Sequence, residues 1–291
     1  SLDTIQLPQN MTSIGDELFY EFIGMASFEI PDSISSIGKH AFAGCKNLLS
    51  VTIPDSVTTI EEGVFSGCEK LYSVGMHRFI TSIGKKAFCG CKNLSCINIP
   101  DSVTVIEDET FSGCENLYSA NIHRFITCIG KRAFADCSRL SSVTIPSSVT
   151  SIEEAAFSGW LGLTTITLPN SIKSISGSQI NSYETTFKGK PPWSECKRLS
   201  SIIVAHDNPY FTSVNGVLFN KAMTQLLSYP KGKQGSYQIP SSVQSIGNYA
   251  FYACTRFSSL VVPPTSRSYG RCQSHGIPGS CPLTMPDSVS L

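Results

Sequence analysis

Charge is scarce in this sequence. Of its 291 residues only 15% are Asp, Glu, Lys or Arg, against about 25% in an average soluble domain. The 22 basic side chains balance 22 acidic ones, leaving no net charge. Without a basic excess, the long-range pull that nucleic acid or an anionic bilayer exerts is missing. Long apolar runs are missing too: no stretch of ~18 apolar residues could cross a membrane. At 41% hydrophobic, the chain is nevertheless too apolar for disorder. Twelve cysteines, about 4%, fall short of a disulfide scaffold. The sequence opens Ser1-Leu2-Asp3, with neither Met nor a signal peptide, so its beginning identifies no compartment.

Motifs of catalysis are also lacking. There is no H-E-x-x-H, no G-x-S-x-G, no Walker-type loop and no G-x-G-x-x-G. Of the histidines, His77 and His123 are repeat equivalents, while His40, His206 and His275 stand in unrelated phases. Cys89-Gly90-Cys91 lacks the C-x-x-C spacing of zinc or redox sites. No catalytic residue, metal site or cofactor is expected.

What is present is a repeat. The apolar residue of an Ile-Pro-Asp-Ser motif falls at Leu7, Ile30, Ile53, Met76, Ile99, Ile122, Ile145 and Leu168, seven steps of 23 without drift. Three more columns keep that step. One begins Ile14, Ile37, Ile60; a second begins Phe19, Phe42, Phe65; a third begins Cys45, Cys68, Cys91. A Leu follows three residues after each ladder cysteine, as Leu48, Leu71 and Leu94. Length alone would suggest two domains, at ~150 residues each. A fixed short period overrides that prior, because each unit buries its apolar face only against its neighbours.

Alternating apolar positions at Val51 and Ile53 predict a half-buried strand closed by Pro54, which has no N–H to donate. Copies of it stack as a parallel sheet, ~4.8 Å per rung. Ile37 and Phe42 return on the opposite wall. The cysteine column reads as a ladder of small buried thiols bonding the backbone. Metal or disulfide chemistry is the rival, opposed by the even spacing and by Trp160 in the slot after Cys137. Cys272 and Cys281 stand off the column as a candidate pair. A second column, Lys39, Glu62, Lys85, Asp108, Lys131 and Glu154, alternates in sign on every rung. It predicts a solvated ion ladder that fixes register, since a one-rung slip would align like charges.

These lines, notably Ser36-Ile37-Gly38-Lys39-His40-Ala41-Phe42-Ala43-Gly44-Cys45-Lys46-Asn47-Leu48, resemble the BspA-like leucine-rich repeats of bacterial and protist surface proteins. The likeness covers roughly residues 2–263. It implies a curved, right-handed leucine-rich repeat solenoid of about eleven rungs. A parallel β-sheet would line the concave face, with short turns or helical segments on the convex face. It further implies an adhesin-like, secreted or cell-surface protein that binds host or extracellular proteins. A structural spacer of a larger envelope protein and an intracellular scaffold are the alternatives.

The period breaks twice. Steps of 36 and 35 replace 23 after Leu168, which places longer rungs at 176–195 and 206–237. Asn215-Gly216 between apolar runs signals a hairpin within the second. The solenoid is expected over 1–263, with a degenerate terminal repeat or flexible tail over 264–291. Gly, Pro and Ser enrichment favours the tail.

Two surfaces are candidate contacts. Small hydroxyl and amide side chains, such as Ser50, Thr52, Ser73, Asn98 and Asn121, point outward from the strands. They suit a protein ligand or a glycan and lack the aromatic stack or basic strip that nucleic acid needs. His77-Arg78-Phe79 and His123-Arg124-Phe125 replace the Pro-Asp-Ser of neighbouring units. Here Phe79 and Phe125 are expected to enter the core or shield the rung edge, with His77, Arg78, His123 and Arg124 standing out. The insert aromatics Trp193, Tyr210 and Phe211 are the second candidate, as interface anchors or as packing within the insert.

Overall fold

The structure, a computed structural model, describes residues 5, 7–8, 10–180, 185–269 and 283–284. The chain is a parallel β-solenoid of about ten turns. Its contacts divide it into two compact units, Ser1–Leu140 and Ser141–Leu291.

In the first unit a full turn carries two short strands. In the strip after the Leu column, Ser50–Thr52 pairs in parallel with Ser73–Gly75, and Cys96–Asn98 with Ser119–Asn121. A second strip runs along the Ile column. There Ser13–Ile14 pairs with Ser36–Ile37, Thr59–Ile60 with Ser82–Ile83, and Val105–Ile106 with Cys128–Ile129. Every pair joins residues 23 apart, so the period of the sequence is the register of both sheets. Burial alternates as a pleat requires: Val51 is inside, while Ser50 and Thr52 are outside.

The expected helical segments are absent: no helix occurs among the described residues. Past the Ile column the backbone becomes left-handed twice per turn, four residues apart, at His40 and Gly44, Lys86 and Gly90, Glu109 and Gly113. A right-handed helix cannot hold such residues. The N–H groups that would have bonded within it bond to the next turn instead. His40 N donates to Glu62 O at 2.9 Å, Phe42 N to Val64 O at 3.0 Å and Gly44 N to Ser66 O at 2.7 Å. Backbone donors are therefore satisfied between rungs on this wall as well. Gly63 is needed here for two reasons. Its φ is 64°, and a Cβ on it would lie 2.2 Å from His40 Nδ1, because the imidazole of the previous turn fills that space.

Inside, Phe19, Phe42, Phe65, Phe88, Phe111 and Phe134 form one row. Successive ring centroids are 5.2–5.6 Å apart and ring planes differ by 4–21°. This is the offset stacking that the ring quadrupole favours.

In the second unit Thr165–Leu168 pairs with Ser201–Val204 across a step of 36. The extra residues carry an antiparallel hairpin, Gln179–Ile180 with Thr185–Thr186. Next comes an antiparallel meander, Phe211–Val214, Val217–Asn220 and Gln225–Ser228. Asn215 and Gly216, with φ of 52° and 77°, make its first turn. Positive φ at both positions is what a two-residue hairpin of the right twist requires. The last meander strand rejoins the solenoid by pairing in parallel with Ser245–Ile246, which pairs with Ser268–Tyr269. Val217, Phe219, Leu226, Val243 and Phe251 pack in the core beneath. Leu283–Thr284 pairs with Leu260 and Val261, again 23 residues away. Cys272 and Cys281 lie outside the described residues.

Candidate functional site

The most distinctive exposed chemistry sits in the first unit, where the outer face of the Ser50–Thr52 strip meets its end turn. Along the strip Ser50, Thr52, Ser73, Gly75, Cys96, Asn98, Ser119 and Asn121 are all exposed. The strip presents small neutral groups, framed on one side by Tyr72 and Tyr118, 52% and 59% exposed.

At the other end, in the two His-Arg-Phe rungs Arg78 and Arg124 stand out as expected, while His and Phe exchange their expected places. His77 is half-buried and His123 buried, whereas Phe79 and Phe125 are 47% and 41% exposed. The cause is hydrogen bonding. His77 Nε2 lies 2.9 Å from Pro54 O, and Phe79 N–H donates to Nδ1 at 3.2 Å. His123 repeats this on Pro100 O at 3.0 Å and Phe125 N at 3.3 Å. With Nε2 donating to the carbonyl and Nδ1 accepting the amide N–H, each imidazole clamps its own turn to the one before. With the imidazole turned inward, the Phe two residues later is turned out. Arg78 then lies over it, its guanidinium carbon 5.0 Å from the Phe79 centroid, and Arg124 lies 4.9 Å from that of Phe125. Neither guanidinium is ion-paired among the described residues. Asp55, 80% exposed, approaches His77 Nδ1 at 3.9 Å. Arg78 and Arg124 are exposed as the sequence leads one to expect; His77 and His123 are not.

The insert aromatics are placed differently. Trp193 is 3% exposed and its Nε1–H donates to Ser228 Oγ at 3.0 Å; Phe211 is fully buried and Tyr210 half-buried. Trp193 and Phe211 are core side chains and offer no exposed anchor. The organising residue is Asn208, fully buried, whose role its neighbours in sequence do not announce.

The cysteine column is the thiol ladder. Cys45, Cys68 and Cys91 each donate to the carbonyl 26 residues back, on Phe19, Phe42 and Phe65, at 3.1 Å. Cys114 and Cys137 continue at 3.2 Å, and Cys196 reaches Phe157 O at 3.1 Å. No disulfide joins any of the ten described cysteines. Burial pushes Cys45 up to about 11 and Cys196 and Cys254 up to about 12. It raises Cys68, Cys91, Cys114 and Cys137 as well. Thiols held above their unfolded value of ~8.5 favour the fold below that pH and cease to as pH climbs toward their folded values. The urea midpoint is therefore expected to fall steeply from about pH 9 upward. Cys91→Ala should show a shallower alkaline slope than the parent chain. Identical slopes would remove the thiols as the cause.

Of the alternating charges, two neighbouring pairs close, with no ion pair between Glu62 and Lys85. Lys39 meets Glu62 at 3.6 Å and Lys85 meets Asp108 at 3.2 Å. Asp108 Oδ1 also accepts the backbone N–H of Lys131 at 2.8 Å, as Asp16 does that of Lys39 at 2.7 Å. A second ladder went unread in the sequence although it keeps the same step: Glu69 sits between Lys46 at 3.6 Å and Lys92 at 3.0 Å. The hydrogen bond from Lys92 holds the Glu69 carboxyl below its ordinary range. All these groups are exposed, so they tune register more than stability.

Among the described residues, no three His, Cys, Asp or Glu side chains converge as a metal site. No helix there is long and apolar enough to cross a membrane.

Comparison with known proteins agrees with this architecture. The pattern of the BspA type leucine rich repeat region matches in six copies over residues 1–118, 65–186 and 228–273. No curated protein matches. Among solved structures, a leucine rich cell surface protein of Faecalibacterium prausnitzii is 30% identical with a TM-score of 0.64. That alignment takes in 92% of this chain and 65% of the other, so the chain spans less than two thirds of that protein. The pneumococcal vaccine antigen PcpA shares the fold at 23% identity and a TM-score of 0.61, over 98% of this chain and 66% of its own. A leucine-rich repeat protein of Bacteroides ovatus does so at 21% and 0.59, over 92% and 83%. With the repeat pattern over most of its length, the chain belongs to the BspA-type leucine-rich repeat family.

Proposed function

We propose that this chain is a non-catalytic protein-binding module of a surface or secreted protein, adhesin-like, that engages host or extracellular proteins through the strip described above. One observation carries the reading: two Arg-Phe pairs stand exposed and, among the described residues, without ionic partners, two turns apart, at the end of a small, hydroxyl-rich strand face. Exposed arginines and aromatics are the residue types that dominate interfaces. The guanidinium edges, with ring faces beneath them, suit carboxylates or sulfates, so an acidic protein surface or an anionic glycan fits the chemistry. The likeness to a cell surface protein of Faecalibacterium prausnitzii supports the placement.

The test is a binding panel of immobilised extracellular-matrix proteins and glycans, read by interferometry. Binding is expected, with Arg78→Ala/Arg124→Ala weakening it about tenfold, the size of a typical two-residue interface anchor. Retention of full affinity by the double variant would overturn the site. Failure to bind any member would favour a display spacer. A scaffold inside the cell is the second reading, favoured by the absence of disulfides among the ten described cysteines. Thiol counting in denaturant without reductant on protein taken from its native source separates these: bridges appearing there would exclude the cell interior.

A further inference from the structure

Four successive turns of the first unit carry an alternation of period 46, twice the repeat, on the same exposed corner. In the first position after the Pro or His the residues are Asp55, Arg78, Asp101 and Arg124. In the next they are Ser56, Phe79, Ser102 and Phe125. All eight are exposed. Adjacent turns are ~4.8 Å apart, so each column is a straight row about three steps long.

Such rows have a property that a random surface lacks. Consider a second copy laid face to face, turned about a two-fold axis that lies in the interface along the strand direction. That rotation reverses the order of the turns and keeps each column opposite itself. With the axis between the second and third of the four turns, Asp55 faces Arg124 and Arg78 faces Asp101, every charge meeting its opposite. In the neighbouring column Phe79 faces Ser102 and Phe125 faces Ser56, every ring meeting a small side chain. In the column next to Leu48, Tyr72 faces Ser95 and Tyr118 faces Leu49, the second an apolar contact. Alternation with an even number of turns is what makes a surface complementary to its own reverse, the requirement of an isologous contact.

From this we infer that the chain forms an antiparallel homodimer through these four turns, with Arg78 and Arg124 pairing in trans with Asp101 and Asp55. The guanidiniums are supplied ready for it: each lies on a Phe ring and has no ionic partner within its own chain among the described residues. Asp55, 80% exposed, keeps most of its carboxylate open despite His77 nearby. Four turns by about eight residues of width make a patch of roughly 19 by 26 Å. Two such patches bury about 1,000 Å², the lower limit for a specific contact, so a weak dimer is expected. The dimer would occupy the guanidiniums that the proposed ligand would use, so the two compete; its test uses no ligand, so its failure is distinguishable from failure of the binding function.

Sedimentation equilibrium of the chain over about 1–100 µM at low salt should show a monomer–dimer transition that weakens as salt screens the pairs. Arg78→Asp/Arg124→Asp should weaken it at least about tenfold. The full inversion, Asp55→Arg/Arg78→Asp/Asp101→Arg/Arg124→Asp, should dimerise again, and should not mix with the parent chain when one is fluorescently labelled. Ser56→Phe/Ser102→Phe, which sets ring against ring, should abolish pairing whether or not the inverted variant folds; circular dichroism checks that it retains the solenoid. A chain that stays monomeric throughout the range overturns the inference. So does a double variant that pairs as the parent does, or an inverted variant that pairs with the parent.

Discussion

Phe88→Ala is expected to lower the stability of the first unit by about 3–5 kcal/mol. Phe88 is fully buried and lies between Phe65 and Phe111, with ring centroids 5.5 and 5.6 Å away. Truncation removes its own transfer free energy and leaves a void lined by two faces that each lose a stacking partner. The void closes poorly, because the backbone on either side is hydrogen-bonded to fixed neighbours: Phe88 N donates to Thr110 O at 2.9 Å, and Phe65 N to Ala87 O at 2.9 Å. Two comparisons make the prediction specific. Phe19, 9% exposed and followed by a single partner in the row, should cost less on the same change. Phe79, 47% exposed, should cost under about 1 kcal/mol. Urea denaturation with hydrogen exchange resolved along the chain reads both the size and the location of the loss. In a chain of nearest-neighbour contacts, protection should fall first in turns adjoining residue 88. Equal losses for Phe88→Ala and Phe79→Ala would contradict the packed row.

The contrast between those two phenylalanines also marks what the sequence discloses. Phe42, Phe65 and Phe88 are recognisable as core because they repeat at a fixed step, and a stacked parallel register turns step into contact. The alternation Lys39, Glu62, Lys85, Asp108 is legible for the same reason, as Lys46, Glu69, Lys92 would have been. What a repeat cannot disclose is how one rung departs from the rest. Phe79 occupies a column of serines, and its outward position follows from the bond between His77 Nε2 and Pro54 O, a contact set by geometry between turns. The wall past the Ile column departs from expectation for a related reason. His40, Lys86 and Glu109 carry no glycine signal for left-handed backbone, yet adopt φ of 53°, 57° and 56° because inter-turn bonds of the wall hold them there. Trp193 and Phe211 look like exposed anchors in composition. Trp193 is buried because it stands three residues before Cys196, the place of Phe in every ladder rung, with Phe157 N donating to Pro192 O as Phe42 N does to Val64 O. Phe211 is buried in the first strand of the meander.

Asn208→Ala is expected to cost about 3–5 kcal/mol and to loosen the insert without disturbing the first unit. The side chain is fully buried and satisfied on both ends. Its Nδ2 donates toward Pro169 O at 3.1 Å, Asn170 O at 3.3 Å and Ile172 O at 3.0 Å. Its Oδ1 accepts from Tyr210 N at 2.9 Å and Phe211 N at 2.8 Å. One amide thus ties the start of the meander to the turn that lies before both insertions, and truncation strands backbone groups from each. Every buried polar group left unsatisfied costs ~1–3 kcal/mol, less where water reaches it. Asn170→Ala removes only an exposed hydrogen bond, to Asp207 Oδ2 at 2.8 Å, and should cost under about 1 kcal/mol. Asn208→Asp separates the donor role from mere shape. At neutral pH it aims a carboxylate at three carbonyl oxygens, so it should destabilise more than Asn208→Ala. Those oxygens and the burial raise the folded-state affinity of the carboxyl for a proton above its unfolded value near ~3.9. A raised group favours folding below its unfolded value and loses that as pH rises, so Asn208→Asp should regain stability relative to the parent chain on acidification. Hydrogen exchange at 211–228 should rise in both Asn208 variants. Unchanged exchange there would mean that apolar packing of Phe211 and Phe219, both fully buried, holds the meander without the amide.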